Sequence, residues 1–225
     1  MKYIKIIIIG IVIISAISAT AWYFYVRAID TVPFISAYQT YDKKWSENKL
    51  IVYSPGAKNN AARQKLSLVL SQVLNEKISE KERYALSVSG QDPLTEVHNE
   101  IDVMKAHRED LEKDTTILRE RAEKVKGIRI NKKVDELVAF SDKRISTIRE
   151  IEAVSYRMND TIKEIFQGVA ADHGALTQDR IRFLNDAVPI AEKDFDRLNA
   201  LYNTLNDDDR AMKRTYASFL RLAGQ

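Results

Sequence analysis

Histidine and carboxylate side chains are the groups in this sequence that could support metal binding or acid–base catalysis. The histidines, His98, His107 and His173, occur in neither an E-x-x-H nor an H-E-x-x-H pattern, so they lack the common spacings of metal ligands on one helix. Acidic residues occur in short runs such as 207–209, mostly with Lys or Arg three or four positions away, as is typical of solvated helix faces. The chain has no Cys, no Gly-rich phosphate loop and no nucleophile-elbow motif. We therefore predict no catalytic residue, metal ligand or cofactor, and expect a protein that is not an enzyme.

Polar residues within apolar stripes form a second candidate site. Five of them occupy positions at or beside stripes of core-type spacing: Arg108, Thr115, Ser141, Arg144 and Ser155. A polar layer of this kind fixes the register and number of helices in a bundle, which is the favoured interpretation. Two alternatives stay open: Arg108 reaches the surface with its charged end, or the layer lines a pocket for a small polar or anionic ligand.

Four aromatic residues form a third candidate site, close to the N-terminal apolar segment. Phe34, Tyr38, Tyr41 and Trp45 follow each other at spacings of 4, 3 and 4, so they share one face of a helix within 31–48. Four exposed rings would be a liability unless something covered them. Docking onto the rest of the chain is the expected cover, and the membrane interface and a partner protein are the alternatives.

Long helices must position these residues. Apolar residues alternate at spacings of 3 and 4 through 92–126, 131–168 and 176–205, and a shorter stripe runs through 59–89 with a capping box at Ser79 and Glu82. The joints between the long segments are short, which makes neighbouring helices antiparallel. The predicted fold is all-α: an elongated antiparallel bundle or coiled coil of three to four long helices.

The N-terminal segment predicts membrane association. Residues 6–26 contain no charge, and a helix needs about 20 apolar residues to cross the hydrocarbon core. Trp22 and two tyrosines lie at its end, and Lys2 and Lys5 precede it, which favours an N-terminus inside and the bundle outside the cytoplasm. The alternative is a signal peptide cleaved after Ala21, giving a secreted or periplasmic protein. The predicted organisation is an anchor over 1–27, a juxtamembrane helix and loop over 28–58 and a bundle over 59–225.

The charge composition limits the classes of partner that the protein is expected to bind. The chain has 35 Lys and Arg against 32 Asp and Glu, and two of the basic residues flank the apolar segment, so the remainder is nearly neutral. A basic nucleic-acid-binding face is therefore not expected. The sequence predicts a membrane-anchored, non-enzymatic interaction or structural module of the cell envelope with an unidentified protein partner. A homo-oligomer and a small-ligand-binding or sensor-type bundle near Arg108 remain alternatives.

Overall fold

The computed structural model describes residues 31–49, 52, 60–125 and 128–224. Six helices contain nearly all of them, and the described residues contain no strand. In chain order the helices are α1 (31–49), α2 (Asn60–Val73), α3 (Glu80–Ser89), α4 (Gln91–Ala122), α5 (Ile128–Ala171) and α6 (Gln178–Ala223). The prediction of an all-α chain with several long helices packed together is confirmed for this part of the sequence.

The three long helices α4, α5 and α6 lie antiparallel to their neighbours along the chain. Arg119 near the end of α4 bonds Asp142 near the start of α5. Lys143, also near the start of α5, bonds Asp208 towards the end of α6. With 44 and 46 residues, α5 and α6 are about 66 and 69 Å long at about 1.5 Å per residue. The apolar stripes meet along this length in one continuous core.

The joint between α2 and α3 is closed by polar groups. The predicted capping box is present: the Ser79 hydroxyl accepts a hydrogen bond from the backbone N–H of Glu82, whose carboxylate accepts one from the N–H of Ser79. Arg83, in the first turn of α3, is 3% exposed and donates to the carbonyl oxygens of Val73 at 3.1 Å and Gly174 at 2.8 Å. This guanidinium therefore holds the end of α2 against the α5–α6 turn.

The α5–α6 turn depends on glycine at one position. Gly174 has φ +85°, a left-handed conformation that costs a residue with a Cβ about 1–2 kcal/mol. A Cβ at this position would also overlap the backbone carbonyl oxygen of Glu80 in α3. The turn thus combines a positive φ with a close approach of two backbone segments. α6 then starts at the N-cap Thr177, whose hydroxyl accepts from the N–H of Arg180.

α6 is one continuous helix through two segments of the apolar pattern. The sequence predicts a helix over 176–205, then an acidic cap or an exposed helical turn at 206–209, and then the same stripe continued by Met212, Tyr216 and Phe219; in the structure a single helix runs through these residues to residue 223. It also contains Pro189 without ending there. The carboxylates at 208 and 209 are buried within this helix, because they neutralise cations of the neighbouring helices.

No helix among the described residues has a stretch that is both long and apolar enough to span a membrane. The predicted anchor over residues 6–26, and the alternative cleavage after residue 21, lie outside the described residues. The anchor stays a prediction.

Candidate functional site

The four aromatic residues of α1 lie against the bundle. Phe34, Tyr38, Tyr41 and Trp45 are each at most 1% exposed. The Phe34 ring meets Phe219 of α6 edge-on with centroids 5.3 Å apart, and the Tyr38 ring stacks on a tyrosine one turn earlier in α6 at 4.0 Å. Of the three covers considered for this stripe, the structure places the bundle over it.

A buried ion pair lies beneath the last two of these rings. The guanidinium of Arg144, on α5, is 1% exposed and donates to Asp209 Oδ1 at 2.9 Å and to the Tyr41 hydroxyl at 3.2 Å. It lies 4.3 Å from the centre of the Trp45 ring, within the range of a cation–π interaction. The Trp45 indole N–H donates to the same Asp209 oxygen at 2.9 Å. We call Tyr41, Trp45, Arg144 and Asp209 the Arg144 cluster; it joins α1, α5 and α6.

Two lysines also contact the Asp209 carboxylate of this cluster. Lys49 and Lys213 approach the second oxygen of Asp209 at 3.1 and 3.2 Å. Burial alone would raise the pKa of Asp209, but the bonds from Trp45 and the lysines and the charge of Arg144 outweigh it and lower that pKa. Burial raises the pKa of the Tyr41 hydroxyl, which keeps it neutral as a partner of the guanidinium. The cluster is thus a buried ion pair whose carboxylate is also bound by two lysines, while the Nε of Arg144 has no hydrogen-bond partner among the described residues.

A second buried cluster surrounds Arg108 of α4. Its Nε donates to Glu152 of α5 at 2.5 Å and its Nη1 to Glu112 at 2.6 Å, and Glu112 also accepts from Arg149 at 2.7 Å. The hydrogen bond to Glu152 is the main cause of a raised pKa for Arg108. We call Arg108, Glu112 and Glu152 the Arg108 cluster. Its guanidinium is occupied by carboxylates of the chain itself, which leaves little capacity for an anionic ligand.

The five polar residues predicted for one core layer are all buried, at 9% exposure or less, but do not form one layer. Arg108 and Arg144 contact different carboxylates and different helices. The Ser141 hydroxyl donates to a carbonyl of its own helix at 2.7 Å. The hydroxyls of Thr115 and Ser155 have no hydrogen-bond partner among the described residues. The bundle therefore carries two separate polar clusters.

Sequence reasoning missed the acidic partners in both clusters. We predicted solvated faces for the acidic runs of α6, which is wrong for Asp194, Asp208 and Asp209, exposed by 2%, 7% and 4%. The apolar spacing contained the signal: Asp209 falls four residues after Leu205 and three before Met212, on the same stripe. A carboxylate on such a stripe implies a cation on a facing helix.

A cleft opens elsewhere, between α2, α5 and α6, with a volume of about 770 Å³. Its walls are mainly apolar, and Phe195, which borders it, is 58% exposed. The carboxylates of Glu192 and Asp196 are among its few charged groups, and Arg108 is not among its lining residues.

Comparison of the chain with protein-family models, with curated protein sequences and with solved structures finds no match.

Proposed function

We propose that this protein is a membrane-anchored, non-enzymatic structural and interaction module whose bundle is mounted rigidly on its anchor, outside the cytoplasm. One observation carries the proposal: α1, which starts only five residues after the apolar segment 6–26, is fixed to α5 and α6 by four buried rings and the Arg144 cluster. A membrane helix connected in this way would set the position and tilt of a rod nearly 70 Å long.

The buried charges support a structural role. Catalytic acids and bases usually sit in a cleft with a perturbed pKa and access to substrate. Asp209 and Glu152 are instead engaged by Arg144 and Arg108 inside the bundle. Their arrangement is that of ion pairs that fix which helices are neighbours.

Two measurements on the full chain test the proposal. The first is the intact mass of the native protein together with its retention in membranes after alkaline washing. A chain that keeps residues 1–26 and stays in the membrane supports the anchor, whereas a mature chain that starts at residue 22 contradicts it.

The second measurement tests the rigid mounting. Because the chain has no Cys, Ser36→Cys on α1 and Asn203→Cys on α6 provide a unique pair of spin-label sites. Both side chains are exposed. The control pair, Asn99→Cys with Asn203→Cys, lies within the bundle. We expect distance distributions of similar width for the two pairs, and a much broader distribution for the α1 pair would contradict rigid mounting.

The α2–α5–α6 cleft favours a second candidate, a small-ligand-binding bundle, but at a place other than Arg108. Its volume suits a drug-sized molecule, since ligand pockets usually measure about 300–1,000 Å³. The apolar walls and the carboxylates of Glu192 and Asp196 fit an elongated apolar molecule with a positive charge. Three results with a neutral naphthylamine dye would support this role. The dye binds to the protein, an alkylammonium ion competes with it, and binding is lost in Ala191→Trp but not in Ala217→Trp. Equal dye binding by both variants would exclude the cleft.

A further inference from the structure

One end of the bundle combines the start of α1 with the ends of the long helices. Phe34, in the first turn of α1, contacts Phe219 in the last turns of α6. Because α6 is antiparallel to α5, and α5 to α4, the start of α5 and the end of α4 lie at this end too. We call it the α1 end of the bundle.

Helix lengths place these elements at similar heights. Trp45, Arg144 and Asp209 contact each other and so lie at one level. From that level α1 runs back to residue 31, α6 runs on to residue 223 and α5 runs back to residue 128. At about 1.5 Å per residue these distances are about 21, 21 and 24 Å. Three helix ends therefore lie within about one turn of each other along the axis.

The α1 end is strongly basic. Residues 119–125 and 130–133, on either side of the α4–α5 joint, contain five Lys and Arg and two Glu, and residues 214–224, beyond the level of Asp209, contain two Arg and no acidic residue. The opposite end of α4 has the reverse composition, because residues 91–104 contain four acidic residues and no Lys or Arg. The two ends of α4 thus carry unlike charge.

Part of this positive charge faces solvent without a local counter-charge. Arg121, Lys124 and Lys132 are exposed, and none of them has a carboxylate within 4.0 Å among the described residues. Neighbouring basic residues behave differently: Arg119 bonds Asp142 and Lys133 bonds a glutamate one helical turn away. Three cations therefore remain available to an external anion.

We propose that the α1 end binds the headgroups of anionic phospholipids at the membrane surface. This inference rests on the proposed anchor: residues 27–30 alone separate the apolar segment from α1, and four extended residues reach about 14 Å at most. The basic end is then held beside the membrane, and the acidic end of α4 is held away from it. Each Lys or Arg near an anionic surface contributes about a fivefold factor in binding, so three give about a hundredfold.

The experiment uses the full chain in two kinds of nanodisc. One contains phosphatidylcholine alone, and the other also contains about 30 mol% of the anionic lipid phosphatidylglycerol. A fluorophore on Glu123→Cys at the α1 end reports contact through quenching by a lipid that carries a headgroup spin label. The same fluorophore on Asn99→Cys reports the opposite end. We expect stronger quenching at position 123 in the anionic discs, reversed by high salt because screening weakens the attraction, and no change at position 99.

Matched variants make the test specific. The combination of Arg121→Gln, Lys124→Gln and Lys132→Gln should return the quenching at position 123 to its value in neutral discs. A control that neutralises three exposed basic residues elsewhere should leave it unchanged; these are Lys105→Gln, Arg182→Gln and Lys193→Gln. Equal quenching in the two lipids, or equal effects of the two combinations, would overturn the proposal.

Vesicle flotation separates this proposal from the anchor. If the chain floats with phosphatidylcholine vesicles but the quenching does not differ between the two nanodisc compositions, the anchor is supported and lipid binding by the α1 end is refuted. If the chain floats only with phosphatidylglycerol vesicles, in a salt-dependent way, the anchor is refuted and lipid binding by the α1 end is supported.

Discussion

Replacing Arg144 by methionine should weaken the docking of α1 on the bundle and lower the stability of the protein substantially. The substitution removes the hydrogen bond to Tyr41, worth about 1 kcal/mol, and a desolvated cation–π contact with Trp45, worth about 2 kcal/mol. Methionine refills much of the aliphatic volume, and Asp209 keeps Lys49 and Lys213 as partners. We therefore expect the free energy of unfolding to fall by about 3 kcal/mol, at the lower end of the range for a broken buried pair.

Substitution of the other member of the ion pair, Asp209→Asn, should lower the free energy of unfolding by at least as much. Asp209 is the carboxylate that hydrogen-bonds the Arg144 guanidinium among the described residues, and Arg144 is 1% exposed. Its removal leaves a buried cation without its anion, which costs about 3–5 kcal/mol. Because the two residues act as one unit, the double variant should cost less than the sum of the single variants by about 1 kcal/mol or more.

Urea denaturation of the full chain in a Trp22→Phe background measures these effects with two probes. Trp45 is then the only tryptophan, so its emission reports on α1, while circular dichroism reports on the whole bundle. The control is Arg197→Met, which breaks an exposed pair with Glu150 between the same two long helices and should cost less than about 1 kcal/mol. If Arg144→Met costs no more than this control by either probe, the Arg144 cluster does not hold α1 in place.

Three further predictions concern the core, the turn and acid stability. Leu111→Ala, at 2% exposure, should cost about 2–5 kcal/mol in urea denaturation, whereas Glu109→Ala on the polar face should cost less than about 0.5 kcal/mol; equal effects would mean that the stripe is misassigned. Gly174→Ala should lower the melting temperature more than Gly224→Ala, because both have a positive φ but only the first meets a backbone carbonyl; similar shifts would argue against that contact. The pKa of Asp209 is lower in the folded chain than its usual value of about 3.9, so its contribution to stability is complete above that value and lost as the pH falls through the folded-state pKa. Acid titration of the folded state should therefore show a smaller loss of stability in Asp209→Asn than in the unmodified chain, and identical acid profiles would contradict the assignment.

Periodicity predicted the fold more completely than the site. A spacing of 3 and 4 reports which face of a helix is apolar, and it persists through α4, α5 and α6, where Met212, Tyr216 and Phe219 continue it. Even the capping box at Ser79 was readable, because both its partners lie within one turn of the chain. Local patterns of this kind need no knowledge of which helices are neighbours.

The polar clusters could be predicted only with knowledge of which helices are neighbours. Arg108 and Arg144 stood out as cations on apolar stripes, but their partners Glu152 and Asp209 lie 44 and 65 residues further along the chain. Arg83 donates to the carbonyls of residues 73, 75 and 78, which are near it in the chain, but its bond to the carbonyl of Gly174 spans 91 residues and depends on the packing of α3 against the α5–α6 turn. Charge pairing across helices depends on register, which composition and spacing along one helix leave open.

The amino-acid sequence by itself determined the helices, their apolar faces, the antiparallel order of the long segments and the glycine-marked turn, because each follows from backbone preferences and from the burial of one face. It also determined the charge of each segment. Only the tertiary structure decided that α1 docks through Arg144 and Asp209, and that basic segments far apart in the chain meet at one end. The physical reason is that a buried charge is tolerated only where a particular opposite charge reaches it, and that meeting is a property of the packed bundle.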